Sequence, residues 1–160
     1  RLTGGVPLGA DTVARYKYVS RNGRIDGYYS GYTFANQLGV ITQVPYTLEI
    51  VSNNASEKVQ EVNLQGRKVI LRKAKIPVTR ENYKILQFLD FFKDVELYMD
   101  KNNEVYIDRI KRYIVDEQIC KMDVDFYIRQ YPDRIYRSIH EMGLYEFLYS
   151  DKGLAKMSVL

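Results

Sequence analysis

The hydrophobic pattern changes character near residue 79. Before it, apolar positions come in short runs rich in β-branched and aromatic residues. After it, they recur every three or four residues. Tyr46 to Val51 reads as a strand, and Ser52, Asn53 and Asn54 as the turn that follows. Lys58 to Leu64 alternates imperfectly, with Val59, Val62 and Leu64 among Gln60, Glu61 and Asn63. Gln65-Gly66 then predicts a tight turn and Arg67 to Ile76 a return strand, which Pro77 ends. Upstream, Asn22-Gly23 is a strong turn signal, since both residues tolerate positive φ. Tyr16 and Tyr18 alternate with Lys17, as in a strand or the last turn of a helix. Ser30 is placed to cap a short helix over residues 31–38, with Gly39 at its stop and Tyr32, Ala35 and Leu38 on one face. Gly31 lies early in that helix, where it costs stability relative to Ala and suggests a close backbone approach.

From Thr79 the period is helical. Thr79 is a good cap, and Glu81 suits the first turn. Lys84, Gln87, Asp90 and Asp94 form a polar stripe, while Ile85, Leu86, Phe88, Leu89, Phe91 and Phe92 make a broad apolar face. Asn102-Asn103 breaks the chain, and residues 104–118 carry Tyr106, Ile107, Ile110, Tyr113 and Ile114 at helical spacing. Asp123 is a candidate cap for a helix over 124–130. Pro132 suits the first position of another, running to Met142 and stopped by Gly143, and Leu144 to Tyr149 reads as a final short helix. The fold expected is α+β: a small mixed or antiparallel sheet with a short helix in the first half, then a helical C-terminal half. Residues 1–15, with Gly4, Gly5, Pro7 and Gly9, read as a linker remnant or lead-in loop. Residues 16–160 read as one domain, β-rich over 16–78 and helical over 79–160.

Charge sharpens this division. The 160 residues carry a formal net charge of +4. Residues 1–80 hold 12 Lys plus Arg against 5 Asp plus Glu, and residues 81–160 hold 12 against 15. A basic first half therefore offers a different surface from a mildly acidic second half, unless the charges are scattered over one domain. No apolar run approaches the roughly 20 residues of a membrane span. One Cys and one His exclude an internal disulfide and the usual zinc sites. The chain begins at Arg1 without a signal-like segment, which reads as part of a cytoplasmic protein.

Candidate chemistry is sparse. His140, in RSIHEMG, has no Ser or Cys partner at a telling spacing, and suits a helix C-terminus. Cys120 suits a small buried apolar role. Asp116-Glu117 and the pair Asp123 and Asp125 leave a carboxylate magnesium site open beside helix-cap and solvated-face roles. No cofactor motif is present. The strongest signal is the run RKVILRKAK, where Arg67, Lys68, Arg72, Lys73 and Lys75 suit phosphates or an acidic partner. Alternation puts Arg67, Lys73 and Lys75 on one face and Lys68 and Arg72 on the other, and Lys on an edge strand also prevents edge-to-edge pairing. Tyr28, Tyr29 and Tyr32, near Arg21 and Arg24, suit either base stacking or a half-buried core, whereas Tyr113, Tyr127 and Tyr136 are spaced like core.

Residues 27–45, GYYSGYTFANQLGVITQVP, resemble the core motif of AbiEi-like antitoxins of type IV toxin–antitoxin systems. Gly31, Ala35, Asn36, Leu38, Gly39, Thr42, Gln43, Val44 and Pro45 carry the resemblance, which extends over about residues 16–94. Gly31, Asn36, Gly39, Thr42, Gln43 and Pro45 read as a structural joint: Gly39 ends a helix, Thr42 and Gln43 satisfy free backbone groups, and Pro45 sets the approach to a strand.

The resemblance implies a domain that follows a winged helix-turn-helix and neutralises a nucleotidyltransferase-like toxin. The helix-turn-helix of such proteins binds the promoter of their own operon. Too few residues precede Gly27 to build one here, so operator DNA would be met mainly through a segment upstream of this chain. The expectation is a non-enzymatic antitoxin and regulatory domain whose contact residues are Arg21, Arg24, Arg67, Lys68, Arg72, Lys73 and Lys75. A nucleic-acid-binding module and a metal-dependent nucleic-acid-processing enzyme are the alternatives.

Overall fold

The computed structural model describes residues 9–150, and the chain is α+β. Its Cα positions fall into two compact units. One gathers the residues up to Thr33 with Val44–Tyr83, and the other Phe34–Gln43 with the residues from Lys84 on. The short helix and the loop after it are thus shared out, so the division is not the simple one at residue 79.

The first unit is built on strands β1 (Ser20–Arg21), β2 (Arg24–Ile25), β3 (Gly27–Tyr29), β4 (Leu48–Ser52), β5 (Val59–Leu64) and β6 (Arg67–Lys73). Both anticipated turns form. Asn22-Gly23 and Gln65-Gly66 have φ of 52° and 84° in each case, the left-handed pair that a two-residue hairpin needs. β1 and β2 make a small hairpin, and the other strands form a mixed sheet in the order β3-β4-β6-β5. β4 and β6 are parallel, and the remaining pairs antiparallel. Pairing Leu48 with Val69 and Ile50 with Leu71 puts these four side chains on one face. They are buried there with Ala14 and Ala55, flanked by Tyr18, Val19, Tyr29, Val62 and Leu64. Ala14 closes helix α1 (Ala10–Ala14), and a π-helical turn follows over Arg15–Val19. The stretch expected as a lead-in loop is therefore helical over Ala10–Ala14, because Ala14 is apolar and has a sheet face to cover. Residues 1–8, with Gly4, Gly5 and Pro7, lie outside the described residues.

Helix α2 (Gly31–Leu38) forms where the sequence places it. It ends in a Schellman-type turn, with Gly39 at φ 83° and the Val40 N–H donating to the Ala35 carbonyl at 3.1 Å. The second unit adds α3 (Tyr83–Phe91), α4 (Val95–Tyr98), α5 (Glu104–Asp116), α6 (Lys121–Tyr127), α7 (Asp133–Glu141) and α8 (Leu144–Tyr149). All six apolar residues expected on the α3 face are 3% exposed or less. Thr79 caps as anticipated, but Asn82 rather than Glu81 completes the box. The Thr79 N–H donates to Asn82 Oδ1 at 2.7 Å, and the Asn82 N–H donates to Thr79 Oγ1 at 3.2 Å. α6 begins three residues before the expected start, with Cys120 at its N-cap and Asp123 inside its first turn. A carboxylate in the first turn suits the helix dipole as well as a cap does. Tyr113 and Tyr127 pack against the helical core as expected, whereas Tyr136 is 50% exposed.

Candidate functional site

The basic strand β6 is not an edge. It lies between β4 and β5, so edge protection does not account for its charges. Three of its cations have intramolecular work. Arg67 pairs with Asp11 at 2.8 Å and donates to the carbonyls of Tyr46 at 2.6 Å and Pro45 at 3.2 Å. Lys68 pairs with Glu61 at 3.2 Å, and Arg72 with Glu49 at 3.0 Å. Lys73 and Lys75 are exposed and have no ion-pair partner among the described residues. Lys75 lies beyond the strand, because β6 ends at Lys73. The seven expected contact residues therefore do not form one patch. Arg67 and Lys68 stand at the start of β6 and Lys73 at its far end, about 20 Å away at the rise of a strand.

That far end is a cationic rim, and backbone bonds assemble it. The Lys73 N–H donates to the Lys58 carbonyl at 3.0 Å, which sets these two residues side by side. The Ala74 N–H reaches the Ser52 carbonyl at 3.1 Å, and the Asn53 N–H the Asp26 carbonyl at 2.8 Å. Asn53 exchanges two bonds with the Val78 backbone, at 2.8 and 2.9 Å. The Asn54 side-chain amide donates to the Lys17 carbonyl at 3.2 Å. The Arg80 guanidinium donates to the Gly23 carbonyl at 2.9 Å, tying the β1–β2 turn to the chain after Pro77. Lys17, Arg21, Lys58, Lys73, Lys75 and Arg80 all come to this end, and all are exposed. The Arg21 guanidinium lies 4.5 Å from the centroid of the Tyr16 ring, which is itself 53% exposed. Asp26 is neutralised by Arg24, whose Nη2 and Nε approach it at 2.9 and 3.0 Å. Among the described residues, the carboxylates near the rim without an ion-pair partner are Glu57 and Glu81.

Of the expected contact residues, Arg21, Lys73 and Lys75 lie on this rim, whereas Arg24 is paired with Asp26. Lys17, Lys58 and Arg80 join them, although none was among the seven expected residues. The available signal was the Asn53-Asn54 turn, whose amides draw in the backbone of Lys17 and Val78. Nor do Tyr28, Tyr29 and Tyr32 form a stacking platform. Tyr28 is 4% exposed and Tyr29 alternates to the opposite face of β3, so among the three Tyr32 alone is well exposed.

The motif separates into two parts. Gly31, Asn36 and Gly39 are structural. Gly31 has φ 56°, and a Cβ there would collide with the Glu49 carboxyl. Glu49 occupies that space as the cap of α2, accepting the Tyr32 N–H at 2.9 Å while it holds Arg72. Ser30, expected as the cap, instead has a buried hydroxyl without a hydrogen-bond partner. A carboxylate from β4 serves better, because a charged acceptor meets both the helix N-terminus and an arginine. The Asn36 amide donates to the carbonyls of Ile41 at 3.0 Å and Gln43 at 3.4 Å. The Arg109 side chain donates to the Gly39 carbonyl. Thr42 and Gln43 do not satisfy backbone groups with their side chains as expected. Both are exposed, and Asn36 does that work.

The candidates for catalysis are dispersed. His140 is exposed in the last turn of α7, its ring stacked with Tyr136 at 6.3 Å between centroids. Burial pushes the Cys120 thiol pKa up, away from nucleophilic character. Glu117 pairs with Lys84 at 2.8 Å, and Asp125 accepts the Tyr149 hydroxyl at 2.6 Å. Among the described residues no group of three or more His, Cys, Asp and Glu is placed to hold a metal ion, and no helix is long and apolar enough to cross a membrane. Comparison of the chain with family models, curated proteins and solved structures gives no match.

Proposed function

We propose that this chain is a non-enzymatic antitoxin and regulatory domain of the AbiEi-like kind, acting in the cytoplasm. It binds and neutralises a nucleotidyltransferase-like toxin and contributes to control of its own operon. The observation that carries the reading is the cationic rim. Acids of the first unit neutralise Arg24, Arg67, Lys68 and Arg72, and apart from Arg15 the remaining cations of its described residues are exposed side chains toward one end. Such a field attracts an anionic partner and raises its association rate.

The test is charge reversal of Lys73 and Lys75 together, in the full chain. Both side chains are exposed, so the variant is expected to fold with wild-type stability and to lose toxin neutralisation, operator affinity, or both. Retention of both at wild-type level would remove the rim from function. Charge removal at Lys68 is expected to have little effect, since Glu61 already neutralises it.

The rim and the Tyr16–Arg21 stack also favour a second reading, a nucleic-acid-binding module without a toxin partner. Six phosphate contacts would weaken binding by about three orders of magnitude between 50 and 200 mM salt. A titration of duplex DNA over that range separates the readings, because a protein partner gives a shallower dependence.

A further inference from the structure

We propose that the Tyr16–Arg21 pair is a stacking platform for an unpaired base, and that the cationic rim beside it holds the phosphates of a single-stranded nucleic acid. The inference rests on the rim meeting an anionic partner, as proposed above, and names the class of that partner.

Tyr16 lies in the π-helical turn Arg15–Val19, and it is 53% exposed. The Arg21 guanidinium lies over its ring, 4.5 Å from the centroid. Arg21 also stands directly opposite Arg24 in the β1–β2 hairpin. Like charges so placed destabilise a strand pair. Asp26 relieves Arg24, whereas Arg21 has no ion-pair partner among the described residues. An aromatic ring attracts a guanidinium without neutralising it, so the full charge stays available to a phosphate. A local arrangement that costs stability is expected where a side chain serves a contact.

Both halves of the pair are held in advance. The Ser52 hydroxyl donates to the Tyr18 carbonyl at 2.6 Å, the Asn54 amide to the Lys17 carbonyl at 3.2 Å, and the Asp26 N–H to the Val19 carbonyl at 2.8 Å. These bonds fix the turn that carries Tyr16 to the end of β4. Arg80 holds the Gly23 carbonyl, two residues from Arg21. Fixing the backbone before binding lowers the ordering cost.

The chemistry selects the occupant. Aromatic rings and arginine planes both stack bases, and neighbouring cations follow the phosphates. In a duplex the base faces are covered by the adjacent bases, so the platform suits an unpaired one. Carboxylates of an acidic protein would pair with the cations but offer no flat face to the ring.

The test is fluorescence anisotropy of the full chain with a labelled, unstructured strand of about ten nucleotides, a common site size. Deoxy and ribo strands are both titrated, and the tighter is compared with its duplex and with an abasic strand of the same length. Tyr16→Ala is expected to weaken binding of the base-bearing strand about tenfold and to leave the abasic strand unchanged. A variant that merely misfolded would lose both. Tyr46→Ala, which removes an exposed ring before the opposite end of β4, should change neither. Charge reversal of Lys73 and Lys75 should weaken both strands alike. Equal wild-type affinity for the abasic and base-bearing strands, or for the duplex and the single strand, would overturn the platform and leave the rim reading standing. Absence of binding to every nucleic acid would overturn the proposal, while toxin neutralisation, measured apart, would still support or sink the antitoxin reading. Affinity for thymidine monophosphate equal to that for the strand would assign the pair to a free nucleotide and overturn the proposal.

Discussion

Phe88→Ala is expected to lower the unfolding free energy by about 3–5 kcal/mol, the range for emptying a buried aromatic site. Phe88 is 2% exposed on the inner face of α3. Its ring meets Phe92 edge to face at 5.1 Å and stacks on Tyr113 at 6.3 Å. Tyr113 also packs edge-on against Phe34 and donates its hydroxyl to Gln87 at 2.8 Å, so it is fixed on several sides and poorly able to fill the space. A loss of this size is a large share of the roughly 5–15 kcal/mol that holds a domain folded. Phe88→Leu should cost markedly less, since it leaves a smaller void. Urea denaturation measures both. A loss under about 1 kcal/mol for the alanine variant would mean that the helical core closes around the gap.

The second large effect belongs to the α2 joint. Gly31→Ala must place a side chain at φ 56°, at a cost of about 1–2 kcal/mol. The new methyl would also collide with the Glu49 carboxyl. Glu49 can give way only by releasing the Tyr32 N–H or Arg72, and a lost cap costs about 1 kcal/mol more. The total expected is about 2–4 kcal/mol. The mechanism makes a sharper forecast in a double-mutant cycle. In a Glu49→Ala background the collision partner is gone, so Gly31→Ala should cost only the backbone term, about 1–2 kcal/mol. Strict additivity would show that Gly31 serves the backbone conformation alone, and not the room for Glu49.

Much of the local structure was legible because its causes are local. Two residues that tolerate positive φ made each hairpin turn, and Gly39 stopped α2 where its position required. The apolar face of α3 appeared at the expected residues because its period leaves no other way to bury three rings and three branched chains together. The errors share a different cause. Ser30 looked like a cap by its place in the chain, but Glu49, distant in sequence, arrives with β4 and binds the same helix end more strongly. Tyr136 kept helical spacing yet faces outward, because periodicity gives a face without saying which element covers it.

The candidate site follows the same rule. Sequence alone determined the α+β class, the turns, the principal helices and the excess of cations in the first half, since each depends on neighbours along the chain or on composition. Only the tertiary structure decided which cations are free. Parallel pairing of β4 with β6 set Arg72 beside Glu49, the β5–β6 hairpin set Lys68 beside Glu61, and the loops at the far end drew Lys17, Lys58 and Arg80 to Lys73 and Lys75. A charge becomes available to a partner when no opposite charge lies within reach, and that depends on distances between segments remote in sequence.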